Sequence, residues 1–170
     1  MNKSTPRWLS LLLLAPLAVA ARDVIRHPLP NHSTFPISAA VEVPAGKTMV
    51  YLSGMVPPVL DARAPGDSVA AYGDTRAQTV GVLKAIEAEL KSLQLGMGDV
   101  VKMQVFLVAP PAKSDGGKAG RMDFAGFMQG YTQFFGTAAQ PQLPVRSAMQ
   151  VAALANPGYL VEIEVTAVRP

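Results

Sequence analysis

The feature that most restricts the fold is a change of apolar period that recurs along the chain. "AAVEVPAGKTMVYLSG", residues 39–54, holds two β-rich runs around Pro44-Ala45-Gly46-Lys47, which predicts a hairpin. "TRAQTVGVLKAIEAELKSLQL" follows, with Val80, Leu83, Ile86, Leu90 and Leu93 at helical spacing and Asp74 placed as its N-cap. Gly96 and Gly98 are expected to stop that helix, because a Gly-x-Gly after a helix is a C-cap and turn and not a dinucleotide fingerprint. "DVVKMQVFLVA" alternates Val101, Met103, Val105 and Leu107 with Lys102, Gln104 and Phe106, the pattern of a strand. A second helix is predicted from Asp123, with Phe124, Phe127, Met128, Tyr131 and Phe135 on one side as core. Gly126 and Gly130 weaken it by about 1 kcal/mol each relative to alanine, so close packing is the expected reason for them. The last 27 residues, "PVRSAMQVAALANPGYLVEIEVTAVRP", give two strands around an Asn-Pro-Gly turn.

That order predicts one α/β sandwich, a mixed sheet with two helices on one face. The first of the two last runs is apolar on both faces apart from Arg146, Ser147 and Gln150. With helices enough for one face only, the other face is expected to be buried against further copies of the chain. "PPVLDARAPGDSVAAYGD" and "PPAKSDGGKAG" read as loops.

The start of the chain stands apart from the fold. Lys3 and Arg7, an apolar run from Trp8 to Leu17 and Ala18-Val19-Ala20 have the order of a secretory signal peptide. The run is too short to span a bilayer comfortably and contains Pro16, so cleavage after Ala20 is expected, with a periplasmic location and no membrane attachment thereafter. Residues 21–36 carry three prolines and no periodicity and are read as an extended arm, leaving 37–170 as the folded domain. Removing the leader takes two of 15 Lys and Arg and leaves 13 against 12 acids. No basic run remains to follow a phosphate backbone, so nucleic acid is not an expected partner.

There is no cysteine, which excludes disulfides, thiolate nucleophiles and Cys-ligated metals. His27 and His32 lie in "RHPLPNHSTFP" with no neighbouring carboxylate on an ordered element, so a solvated segment is the reading there and no metal site is expected. Two charges remain unusual: Arg146 and Glu162, long charged side chains inside strands that are otherwise mostly apolar.

"VYLSGMVP", "QTVGVLKAIEAELKSLQLGMGDVVKMQVFL" and "PVRSAMQVAALANPGYLVEIEVTAV" together resemble the Rid family, the reactive intermediate deaminases also called YjgF or L-PSP endoribonuclease-like proteins. The resemblance covers about residues 35–168, and its most specific part is Pro-x-Arg-Ser followed by Val-Glu-Ile-Glu. It implies a chorismate-mutase-like fold, a homotrimer with clefts between subunits, no cofactor, and hydrolysis of enamines and imines such as 2-aminoacrylate to 2-oxo acids and ammonia. By that resemblance Arg146 grips the substrate carboxylate, which suits the two parallel N–H donors of a guanidinium. Glu162 matches the acid that orients or activates water, and Ser53 and Gly54 match the loop that approaches the substrate. Met128 stands where asparagine is often found, Ile37 where tyrosine is common and Ala148 where cysteine is frequent, so the cleft keeps its charges and loses neutral polar groups.

Two functions are compatible with these residues. One is an exported enamine/imine hydrolase acting on a small carboxylate-bearing substrate. The other is a non-catalytic trimer that binds small carboxylates or unfolded proteins at apolar clefts. A ribonuclease ranks third, because no histidine pair or basic groove supports it.

If Arg146 and Glu162 serve one site, counting along the strands from Pro157 separates them by six residues, about 20 Å at roughly 3.3 Å per residue. That distance predicts that the pair comes from two different chains.

Overall fold

A computed structural model describes residues 23–111 and 120–170. The predicted leader, and residues 112–119 of the second predicted loop, lie outside the described residues. Six strands and three α-helices occur among those described: β1 (Ile25–His27), β2 (Ala40–Glu42), β3 (Met49–Met55), α1 (Val69–Tyr72), α2 (Thr75–Ser92), β4 (Val100–Leu107), α3 (Phe124–Tyr131), β5 (Val145–Gln150) and β6 (Val161–Val168). The main sheet is mixed and ordered β3-β6-β4-β5, with β5 parallel to β4 and the other two pairings antiparallel. α2 and α3 cover one of its faces, as the order of apolar periods predicts.

Local chemistry fixes the helices. The Asp74 carboxylate accepts from the Ala77 N–H at 2.7 Å and caps α2. Val82, Leu83, Ile86 and Leu90 are its fully buried apolar face. Val80 and Leu93, expected in that stripe, are half-buried at its border. The stop of α2 also differs from expectation. Gln94, not a glycine, takes the left-handed position with φ 59°. The Leu95 N–H reaches back to the Leu90 carbonyl at 2.8 Å and the Gln94 N–H to that of Lys91 at 3.0 Å, which together close a Schellman motif. α3 is capped by Asp123, which accepts from the Gly126 N–H at 2.8 Å. A Cβ on Gly130 would stand 2.7 Å from Cβ of Thr79, so this glycine lets α3 approach α2, as expected. A Cβ on Gly126 would instead overlap the capping carboxylate of Asp123.

Two expectations change in the β-structure. The turn at Pro44–Lys47 is present, with Gly46 at φ 87°, but β2 pairs with β1 in a small separate sheet and not with β3. The arm is therefore not simply extended. Arg26 of β1 ties it down by donating to the carbonyls of Gly98 at 2.7 Å, Leu143 at 2.9 Å and Val100 at 3.1 Å. The uncovered face of the main sheet is also more polar than expected. Tyr51, Phe106 and Met149 share it with Lys102, Gln104, Glu162, Glu164 and Thr166, because on β6 the period-two pattern sends every second, polar residue there.

The long connection from β5 to β6 crosses to the far side of β4 and is held by Gln78. Its Nε2 donates to the Gly73 and Gly158 carbonyls, both at 2.9 Å, and its Oε1 accepts from the Leu160 N–H at 2.7 Å. A buried amide with three partners is satisfied and fixes where β6 begins. Among the described residues no helix is long and apolar enough to cross a membrane.

Candidate functional site

Arg146 pairs with Met103 across the β4–β5 ladder, and Met103 belongs to the buried, helix-covered face. Its side chain consequently turns toward α3 and enters a box of four rings. The guanidinium carbon lies 4.2 Å from the Tyr131 centroid, 5.0 Å from Phe127, 5.3 Å from Phe35 and 5.9 Å from Phe124. Such faces attract a cation. The spacing 124, 127, 131 puts three of the rings on one side of α3, where they form a row, tilted from Phe124 to Tyr131 and stacked from Tyr131 to Phe135. Nη2 approaches the Met128 sulfur at 3.3 Å, and Nη1 is buried with no hydrogen-bond partner among the described residues.

Burial holds the guanidinium below the ordinary arginine value, with Tyr131 pulling the other way. The Tyr131 phenol donates to the Pro36 carbonyl at 2.8 Å, and burial pushes its pKa up to about 12 against the pull of Arg146.

Glu162 lies elsewhere. It pairs with Phe106, whose side chain is on the uncovered face, so Glu162 is on that face as well. β3 bulges beside it: Leu52 pairs with Val165 and Met55 with Ile163, which leaves Ser53 and Gly54 opposite Glu164. A Cβ on Gly54 would overlap the Glu162 carboxylate, so the backbone there is bare against the acid. Ser53 is exposed and lines a hollow of about 340 Å³ with Tyr51, Lys102, Gln104 and Glu164.

The structure thus brings Gly54 and Glu162 together, places Ser53 beside them in the hollow with Glu164, and sets Arg146 apart. Met103 and Phe106 are three residues apart on β4, about 10 Å, and two strand spacings add about 10 Å at right angles. The axial offset is half of what the count from Pro157 suggests, because the β5–β6 connection is not a symmetric turn. The separation nevertheless stands for a stronger reason. The two side chains are on opposite faces of one sheet.

Of the three departures noted in the sequence, Met128 contacts Arg146 directly. Ile37 borders a cavity of about 290 Å³ that also touches Arg146. Ala148 pairs with Val105 and packs against the core on the same face as Arg146. Phe35, which completes the box, carried no signal in the sequence beyond being aromatic in a proline-rich arm. Among the described residues no group of three or more His, Asp or Glu is placed to hold a metal ion.

The family model described as Endoribonuclease L-PSP matches residues 31–169. The chain belongs to this family. The crystal structure of E. coli TdcF with bound serine is 32% identical and superposes with a TM-score of 0.53, the match covering 75% of this chain and 85% of that one. A protein of the conserved Rid family, YyfB from Yersinia pestis, is 24% identical, with a TM-score of 0.63, and is matched over its full length and over 87% of this chain. It shares the fold of this Rid/L-PSP chain: a mixed sheet with few helices. No curated protein matches significantly.

Proposed function

We propose that this Rid-family chain is a hydrolase of enamine and imine intermediates that carry a carboxylate, and that each site is shared by two copies in a ring-shaped homotrimer. One observation carries the reading: Arg146 and Glu162 are the charges that match the family's motif, and they point away from each other through the sheet. One copy cannot offer both to one small substrate. A neighbouring copy lets the arginine at the β5 edge of one subunit face the glutamate of the next, and such head-to-tail contacts close into a ring. The family resemblance makes that ring a trimer. The E. coli TdcF structure with bound serine supports a small amino-acid-like ligand.

In this scheme the Arg146 guanidinium takes the substrate carboxylate from the side of the cavity that Arg146 lines, and Nη1, buried without a partner, is the donor that such a carboxylate would satisfy once the box opens to it. A water bonds the imine carbon through its oxygen while the Glu162 carboxylate takes one of its protons. That proton is returned to the nitrogen, the new hydroxyl then gives up its own proton, which Glu162 relays to the same nitrogen, and the carbon–nitrogen bond breaks so that ammonia leaves a 2-oxo acid. Bare backbone at Gly54 lets the Glu162 carboxylate lie directly against β3.

The non-catalytic reading is favoured by one observation of its own: Met128 places a thioether, and no neutral polar group, against Arg146. A ribonuclease finds less support. His27 is engaged with Glu42 at 2.7 Å, on the small sheet.

The test is the rate at which 2-oxo acid appears from imines made in place by an amino-acid oxidase. Acceleration by wild type, and at least a tenfold loss in Arg146→Ala, is the expected result, since a charged, aligned contact is worth roughly 1.5–3 kcal/mol. No acceleration with any imine, together with retained carboxylate binding, transfers the conclusion to the binding module.

A further inference from the structure

The surroundings of Arg146 restrict the ligand beyond its carboxylate, and the narrower substrate class they define rests on the imine-hydrolase reading. Phe127 and Tyr131 are buried and form the floor of the ring box. Phe35, 39% exposed, and Phe124 form its rim, 6.5 Å apart and 20° from parallel. Beyond the rim Leu29 and Ile37 line both the cavity of about 290 Å³ that reaches Arg146 and an adjoining one of about 270 Å³ that reaches Phe35. Phe35, Phe124, Leu29 and Ile37 have no polar side-chain atom, and Met128 offers only a weak sulfur acceptor.

A 2-imino acid whose carboxylate meets Arg146 from the cavity of about 290 Å³ has its α-carbon one bond from that carboxylate. Its side chain therefore begins within a few ångströms of the guanidinium and, in a cavity that Ser38, Lys102 and Ser147 also line, has on one side Leu29 and Ile37 to pack against. A methylene or methyl substituent covers little of them, whereas a benzyl or isobutyl group removes much of their apolar surface from water. We infer that the site takes 2-imino acids with bulky apolar or aromatic side chains in preference to aminoacrylate-sized ones, and that Phe35, Ile37 and Met128 set this preference. Phe35 stacks on Phe124, Phe127 tilts against both Phe124 and Tyr131, and the arm is held by Arg26 and by the Tyr131–Pro36 hydrogen bond.

Two measurements test it, one without turnover. By calorimetry, phenylpyruvate should bind wild type at least tenfold more tightly than pyruvate, a difference of about 1.4 kcal/mol. Phe35→Ala should shrink that ratio to threefold or less, and so should Met128→Asn, which serves if the first variant folds poorly. In turnover, the imine made from phenylalanine or leucine should be hydrolysed with a higher kcat/KM than the imine made from alanine. Equal or tighter binding of pyruvate, or faster hydrolysis of the alanine imine, overturns the inference and leaves the hydrolase reading standing. Tight phenylpyruvate binding without hydrolysis of any imine overturns the hydrolase reading and leaves the ligand class standing.

Discussion

Gly54 lies so close to the Glu162 carboxylate that no side chain fits between them. The bulge in β3 brings this about: one extra residue bends the strand and turns bare backbone toward the acid. Gly54→Ala should therefore displace Glu162 and lower imine hydrolysis at least tenfold. The penalty in stability should be small, about 1 kcal/mol, since the acid faces partly open space and moves aside. Steady-state kinetics and a denaturant titration of the same variant separate the two effects. Full activity would show that the position of Glu162 is not critical.

Arg146 sits in its box at a cost, because a partly buried guanidinium with an unpartnered Nη1 loses hydration that the four rings only partly replace. Arg146→Met, similar in length and fully apolar, should keep stability within about 1 kcal/mol of wild type while abolishing hydrolysis. A loss of several kcal/mol would assign Arg146 a structural role instead.

Gly130→Ala tests the α2–α3 contact. The new methyl would meet Thr79 Cβ at 2.7 Å and the Arg76 carbonyl at 3.1 Å. Because the new methyl meets a backbone carbonyl as well as Thr79, overpacking at the upper end of about 2–3 kcal/mol should outweigh the helix propensity gained, about 1 kcal/mol, for a net destabilisation of about 1–2 kcal/mol. Gly66→Ala, with nothing within 4 Å of the added Cβ, is the control and should be close to neutral. Chemical denaturation of both variants measures the difference.

Tyr131 predicts a pH dependence. Its folded pKa of about 12 lies above the ordinary phenol value of 10.0, so the folded state holds the proton more tightly. The associated stability is fully present below pH 10 and is lost as pH rises toward 12, by up to about 2–3 kcal/mol. Urea midpoints of wild type and Tyr131→Phe between pH 9 and 12 should show a steeper fall for wild type. Parallel curves would place the phenol in a more hydrated setting.

Much of the fold is legible in the sequence because it is set locally. Asp74 caps α2, the alternation of β4 separates Met103 from Lys102, and the rings of α3 share one side. Strand partners are set at long range and are less legible. β2 follows a good turn yet pairs with Ile25–His27, three residues among prolines with no periodic signal. The site divides in the same way. Arg146 and Glu162 stand out as charges in apolar strands, but that β4 lies between them, and that they face opposite ways, depends on where the β5–β6 connection crosses. Phe35 reaches Arg146 only through the path of the arm.

The measurement that bears most directly on a site shared between copies is complementation. Arg146→Ala and Glu162→Ala proteins, each inactive, are unfolded, mixed in equal amounts and refolded, and hybrid trimers are verified by native mass spectrometry. Each cleft draws its arginine from one subunit and its glutamate from the next, so about a quarter of the clefts regain both residues. Recovery of about a quarter of wild-type imine hydrolysis is the predicted result. No recovery in verified hybrids, or a fully active monomer, would contradict the shared site.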